Sequence, residues 1–149
     1  MSTAKFERLF QPIRIGAMEV RNRIAMAPMG TNLGSDQGFV TPATKNYYEA
    51  RAKGGTGMVI VEITCVDHPL GIAITRQLAA DDDKYLPGLS DLADAIKRHG
   101  ARAVLQLHHA GRESHAENLQ PVAPSAVTIG VRGARVPREL TIAEIQGLV

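Results

Sequence analysis

Three short apolar runs, none of them alternating, constrain what this chain can fold into. They are Ile24-Ala25-Met26-Ala27, Met58-Val59-Ile60-Val61 and Ala103-Val104-Leu105, the last followed by Gln106-Leu107. A strand with one face in water alternates apolar and polar residues. A strand covered on both faces is apolar nearly throughout, and in α/β proteins such strands are usually parallel. Two helical patterns lie between the runs. The first has Thr41 as N-cap and Pro42 at the first helical position, runs through Tyr47, Ala50 and Arg51 to Lys53, and stops at Gly54-Gly55. The second carries Leu89, Leu92, Ala93 and Ile96 on one stripe and closes with Lys97, Arg98 and His99, cations that complement the carbonyl end of a helix, before Gly100. Strand, helix, strand, helix, strand is the order of parallel pairing through right-handed crossovers.

The flanks read differently. Ile13 and Ile15, then Gly16-Ala17, then Met18 and Val20 predict a short hairpin turning near Gly16. Residues 111–140 hold three prolines, three glycines and four arginines without a period; a long loop is expected, with a short extended piece near Val127-Thr128-Ile129. Thr141 with Glu144 forms a capping box, and the helix that it starts runs from Ile142. The sequence ends within two turns of that start, so it reads as the opening of a longer domain.

Lys and Arg number 17 against 15 for Asp and Glu, a net charge of +2 that argues against a nucleic-acid or anionic-membrane partner. The single cysteine, Cys65, has no partner for an internal disulfide, which fits a reducing cytoplasm. Met1 to Phe10 carries charge and no apolar core, so a signal peptide is not expected. No stretch approaches the roughly 18 apolar residues of a membrane span.

Ligands of parallel α/β sheets and barrels bind at the carboxyl ends of the strands. Ala27 to Asn32, Glu62 to Thr64 and Gln106 to Arg112 fall there. Gln106 is the most informative of them. An amide within an apolar strand needs both donor and acceptor partners, or costs a few kcal/mol. A flat heterocycle with adjacent N–H and C=O groups supplies them, and so does neighbouring backbone; the residue alone does not choose. Pro28-Met29, taken alone, reads as strand terminator and core plug rather than as a ligand contact. Gly30, Gly34 and Gly38 do not have the dinucleotide spacing. His108, His109 and His115 lack paired ligand spacing, and neighbouring residues on a strand point to opposite faces, so no metal site is expected. For Glu62 a structural ion pair with an arginine is expected, and for Cys65 the role of a small buried hydrophobe.

Taken together the motifs are familiar. Leu9-Phe10-Gln11-Pro12-Ile13-Arg14-Ile15-Gly16, Arg21-Asn22-Arg23-Ile24, Ala27-Pro28-Met29, Arg51-Ala52-Lys53-Gly54-Gly55, Val61-Glu62, Gln106-Leu107, His109-Ala110-Gly111-Arg112 and Ala123-Pro124-Ser125-Ala126 resemble the opening of the old yellow enzyme family. The NADH:flavin oxidoreductase and 2,4-dienoyl-CoA reductase branch is the nearer likeness. The resemblance implies a (β/α)₈ TIM barrel, of which residues 1–149 would be the N-terminal portion: about three β/α units after a hairpin, in a single FMN-binding domain. It implies an enzyme that passes hydride from NADH or NADPH through FMN to an activated alkene, an enone or enoyl thioester. Pro28 and Met29 would lie beside the isoalloxazine ring, Gly30 and Thr31 near its N5 edge, and Gln106 at its pyrimidine edge. Ile63 stands where a backbone N–H approaches the ring and a small residue is usual. Asn32 and Arg112 would be on the substrate side, Asn32 where several relatives have a tyrosine. The family's substrate-polarising residues and its phosphate site would lie beyond residue 149. A barrel enzyme without flavin, aldolase- or decarboxylase-like, and a non-catalytic piece that needs a partner half-barrel are the rival readings. A homo-oligomer is left open.

Overall fold

A computed structural model describes residues 6–149 of the chain; the signal-peptide reading rests in part on residues 1–5, outside the described ones. Strands β1 (Ile13–Ile15) and β2 (Met18–Val20) form the expected antiparallel hairpin, with Ile13 opposite Val20 and Ile15 opposite Met18. Gly16 turns it at φ +57°, a conformation that a side chain would strain. The order then runs β3 (Ala25–Met26), α1 (Pro42–Lys53), β4 (Met58–Cys65), β5 (Leu78–Ala79), α2 (Leu86–Lys97), β6 (Arg102–His108), β7 (Val122–Ala123), β8 (Arg138–Glu139) and α3 (Ile142–Gly147).

Strand β4 is the centre. Strand β6 lies parallel along one edge of it; β3 pairs with its first residues on the other edge, and β5 with Thr64 and Cys65 farther along that edge. The expected parallel α/β order is thus present. Local chemistry sets the helix limits. The Thr41 hydroxyl accepts from the Thr44 N–H, Pro42 opens α1, and Gly55 follows it at φ +106°. At α3 the Thr141 hydroxyl and the Glu144 carboxylate cap each other's backbone N–H groups as the capping box requires.

Val59 and Val61 of β4 share one buried cluster with Tyr48 and Ala52 of α1, Leu92 and Ile96 of α2, and Ala101. Of the α2 stripe, Leu89 and Ala93 are only half-buried. With Val61, Ala103, Val104 and Leu105 they line an open apolar depression between α2 and the sheet. Leu107, on the helix side of β6, is 64% exposed. This flank is where a following helix packs in a closed barrel.

The structure corrects the loop. Val127–Ile129 forms no strand, and both hydrophobic residues there are exposed. The extended pieces are instead Val122–Ala123 and Arg138–Glu139, paired in parallel. Val122 and Ala123 are buried and so gain from extended pairing; Val127 and Ile129 have nothing to pack on.

The Arg21-Asn22 pair brackets the amino end of the sheet. Arg21 donates to the carbonyls of His99, Ala52 and Thr56, after α2 and at the end of α1, where helix carbonyls need partners. The Asn22 amide donates to the Gly55 carbonyl, and its oxygen accepts from the Ile24 N–H. Gly57 must be glycine, since a Cβ there would stand 2.4 Å from the Asn22 Oδ1. Arg21→Ala should cost the full-length protein about 1–3 kcal/mol, and Arg21→Lys should recover only part, because one ammonium cannot reach three carbonyls. Urea midpoints would show this; equal midpoints for Arg21 and Lys would refute it.

Cys65 is fully buried, as expected, and burial pushes its thiol up to about 11 despite the Asp67 and Gly71 backbone N–H groups aimed at it. The thiol is therefore protonated and unreactive at neutral pH. Iodoacetamide should alkylate it only after denaturant unfolds the protein; rapid labelling of the native protein would contradict this.

Candidate functional site

The site takes shape at the carboxyl ends of β3, β4 and β6. Val59 and Val61 face the helices, so their neighbours Met58 and Ile60 face the other way, onto the inner face of the sheet. Val61 pairs with Leu105, but the next pair is Ile63 with Gln106, which leaves Glu62 as an extra residue in a β-bulge. A bulge re-aims the side chains beyond it. Here it keeps Ile63 level with Gln106 on the inner face and inserts the Glu62 carboxylate between the strand and the loop that follows β3.

Glu62 is fully buried. Its carboxylate accepts from the Thr31 N–H at 2.5 Å and from the Thr31 hydroxyl at 2.6 Å, and that hydroxyl accepts in turn from the Leu33 N–H at 3.2 Å. The Glu62 N–H donates to the hydroxyl of Tyr48 at 2.8 Å, and burial raises the pKa of that phenol above its ordinary value. The expected ion pair with an arginine does not form; among the described residues Glu62 has no cationic partner. The reason is the bulge, which turns the carboxylate toward two donors of the β3 loop.

Pro28 is half-buried, and Met29 after it is 62% exposed. Gly30 is exposed, and a Cβ on it would meet Ile74 Cδ1 at 3.1 Å and Ile63 Cδ1 at 3.9 Å. The large side chain at Ile63 is thus accommodated on the Gly30 side. Gln106 is half-buried, and its amide makes no hydrogen bond to any described residue. Asn32 sits at φ +58°, and its side-chain oxygen accepts from the Arg76 N–H at 2.8 Å, tying the β3 loop to the segment before β5. Arg112 is exposed and donates to the Thr128 carbonyl at 3.2 Å. Pro28, Met29, Gly30, Thr31, Ile63 and Gln106 are therefore brought to one end of the sheet, while Asn32 and Arg112 each hold a loop.

Three residues escaped sequence reasoning. Ile74 and Gln77 come from the segment before β5, and the two-residue strand β5 gives no periodic signal. Tyr48 belongs to the buried core cluster on α1, and nothing in the local sequence marks the bond that its hydroxyl accepts from Glu62. Gln77 is buried and joins the Ala73 N–H to His108, whereas His109 engages Asp67 and the Gly111 N–H. No group of three or more His, Cys, Asp or Glu residues able to hold a metal ion occurs among the described residues. Among the described residues no helix is long and apolar enough to cross a membrane.

Known proteins resemble this chain in sequence and in backbone fold. The NADH oxidase of Thermoanaerobacter brockii is 47% identical over 147 residues, which are 97% of this chain and 22% of that protein. The solved structure of a 2-naphthoyl-CoA reductase in complex with 2-naphthoyl-CoA superimposes with a TM-score of 0.89 at 33% identity, over 95% of this chain and 24% of the other. That of the old yellow enzyme homologue from Zymomonas mobilis gives 0.81 at 29% identity, over 94% of this chain and 41% of the other. The chain thus spans less than half the length of each. Its β3–β4–β6 sheet with α1 and α2 is the opening part of their TIM barrel, as the sequence resemblance implied. Residues 8–149 match the profile of one family, and this chain belongs to that family, the NADH:flavin oxidoreductase / NADH oxidase family, with old yellow enzymes among its structural neighbours.

Proposed function

We propose that residues 1–149 are the N-terminal portion of a single FMN-binding barrel domain, in an enzyme that passes hydride from NADH or NADPH through the flavin to an activated alkene, an enone or enoyl thioester. The observation that carries this reading is the Gln106 amide. It is half-buried at the carboxyl end of β6, on the inner face, and its donor and acceptor meet no hydrogen-bond partner among the described residues. A structural amide would bond neighbouring backbone, and no such bond is present among the described residues. The pyrimidine edge of a flavin offers the matching acceptor and donor. The apolar groups of Met29 and Ile63 stand at the same end of the sheet, so the residues present fit the ring portion of FMN. The phosphate portion belongs in such barrels to the loops after strands seven and eight.

When bound, the flavin supplies the capacity to accept a hydride and pass it on; the protein supplies orientation and electrostatics. In this chain Gln106 would hold the ring's edge. Glu62 fixes the Thr31 backbone and hydroxyl, so that the loop of Met29, Gly30 and Thr31 is set before any ligand arrives. With its proton donated to Glu62, the Thr31 hydroxyl can offer a ligand only an acceptor. Met29 and Ile63 would keep water from the reacting edge.

The full-length protein should purify yellow, bleach anaerobically with NADH or NADPH, and regain its colour on addition of cyclohexenone. A folded, colourless full-length protein that takes up no FMN would overturn the reading in favour of a flavin-free barrel.

A further inference from the structure

We propose that His108 orients the substrate of this site, presenting a fixed N–H donor to an oxygen of the acceptor, the carbonyl or carboxylate conjugated to its double bond. The inference rests on the function proposed above. Strand β6 runs without a bulge, so Gln106 and His108 share the inner face, with His108 about 7 Å nearer the loops at two residues of strand rise. A ligand lying along Gln106 and extending toward the loops meets His108 next.

The ring's proton is placed by a chain of hydrogen bonds that begins in the backbone. The Ala73 N–H donates to Gln77 Oε1 at 2.7 Å, which decides which end of the buried Gln77 amide is oxygen. Its Nε2 therefore faces His108 Nδ1, at 3.2 Å, as a donor. A nitrogen that accepts carries no proton, so the neutral ring has its proton on Nε2. Burial, with the neighbouring His109 adding to it, lowers the pKa of His108 and keeps the ring neutral. Nε2 has no partner among the described residues, and the side chain is half-buried. His109 contrasts with it, since Asp67 and the Gly111 N–H engage both of its nitrogens. A buried amide is costly to maintain unless it is fully bonded. Here Gln77 is bonded at both ends, and the result is one spare, aimed donor beside the ligand end of the sheet. Such a donor favours alkenes that carry a conjugated oxygen over those that do not.

The test uses the full-length flavoprotein with cyclohexenone and acrylate as acceptors. His108→Phe keeps a flat ring and removes the donor; it should raise KM for the accepted substrate about tenfold. His108→Gln, which keeps a terminal N–H, should recover most of the loss, whereas a merely structural role would not separate Gln from Phe. Gln77→Leu frees the ring to choose its tautomer and should fall between. In the wild type, isotope-edited NMR of the histidine ring nitrogens should show a neutral ring protonated on Nε2. If His108→Phe fails to retain flavin, the Gln77→Leu and His108→Gln comparison and the NMR tautomer decide the matter. Unchanged KM values in these variants, or a ring protonated on Nδ1, would overturn the role of His108. A yellow wild-type enzyme that NADH reduces and neither acceptor reoxidises would instead overturn the alkene-reductase reading beneath it.

Discussion

Glu62→Leu should destabilise the full-length protein by about 2–4 kcal/mol, the largest effect of any single substitution at this end of the sheet. The carboxylate satisfies two donors of one residue, the N–H and the hydroxyl of Thr31. Leucine fills much the same volume but removes both acceptors while leaving both donors in place. A buried donor that has lost its partner costs about 1–3 kcal/mol. The hydroxyl can rotate toward another acceptor; the N–H cannot. Glu62→Gln is the informative control. Its amide oxygen can accept from the Thr31 N–H, and its amide N–H can donate to the Thr31 oxygen once the hydroxyl turns, so it should lose less than half as much. Urea denaturation of the wild type and both variants gives the order. The clamp is not a stabilising element if the leucine variant melts like the wild type, or if glutamine is as damaging as leucine. FMN retention should follow the same order, since the clamp sets the loop of Met29, Gly30 and Thr31.

Gln106→Leu should behave in the opposite way. FMN affinity should fall by about 1–3 kcal/mol, roughly 5- to 150-fold, because the substitution leaves the bound ring's polar edge without partners. The apoprotein should be no less stable, since the wild-type amide makes no hydrogen bond to the described protein and leucine suits an apolar strand. Fluorescence titration of apoprotein with FMN measures the first quantity, and urea denaturation of apoprotein the second. A loss of apoprotein stability with unchanged FMN affinity would make Gln106 a structural amide and remove the main support for a flavin here. The two substitutions would therefore separate a residue that builds the site from one proposed to read its ligand.

How much of this was legible in the sequence depends on the range of the forces involved. Thr41-Pro42 and Gly54-Gly55 act on backbone groups within one turn, and they bounded α1 correctly; Thr141 and Glu144 located the start of α3 in the same way. The α2 stripe was visible because a helix that packs on a sheet repeats its apolar residues with the helical period. The parallel pairing was visible because strands covered on both sides read as unbroken apolar runs.

What stayed hidden was decided by contacts between distant segments. The bulge at Glu62 left no trace, because period-2 alternation cannot reveal an inserted residue in a run that is apolar on both faces. Without the bulge, Glu62 looked like a charge in search of an arginine, and only the fold showed that Thr31, distant in sequence, supplies its donors. Strand β5, two residues long, exists only because the far edge of β4 is open to it beyond the end of β3. The Gln77–His108 bond follows from that pairing. Val127–Ile129 had the composition of a strand but no partner, and Val122–Ala123 had the partner. The sequence by itself thus determined the order of elements and their caps, since each follows from local geometry and burial period. Only the tertiary structure decided which polar groups at the carboxyl end of the sheet bond one another, as Glu62 and Thr31 do, and which, like the Gln106 amide and His108 Nε2, have no partner among the described residues. A hydrogen bond requires two groups within about 3 Å in space, and distance along the chain does not fix that.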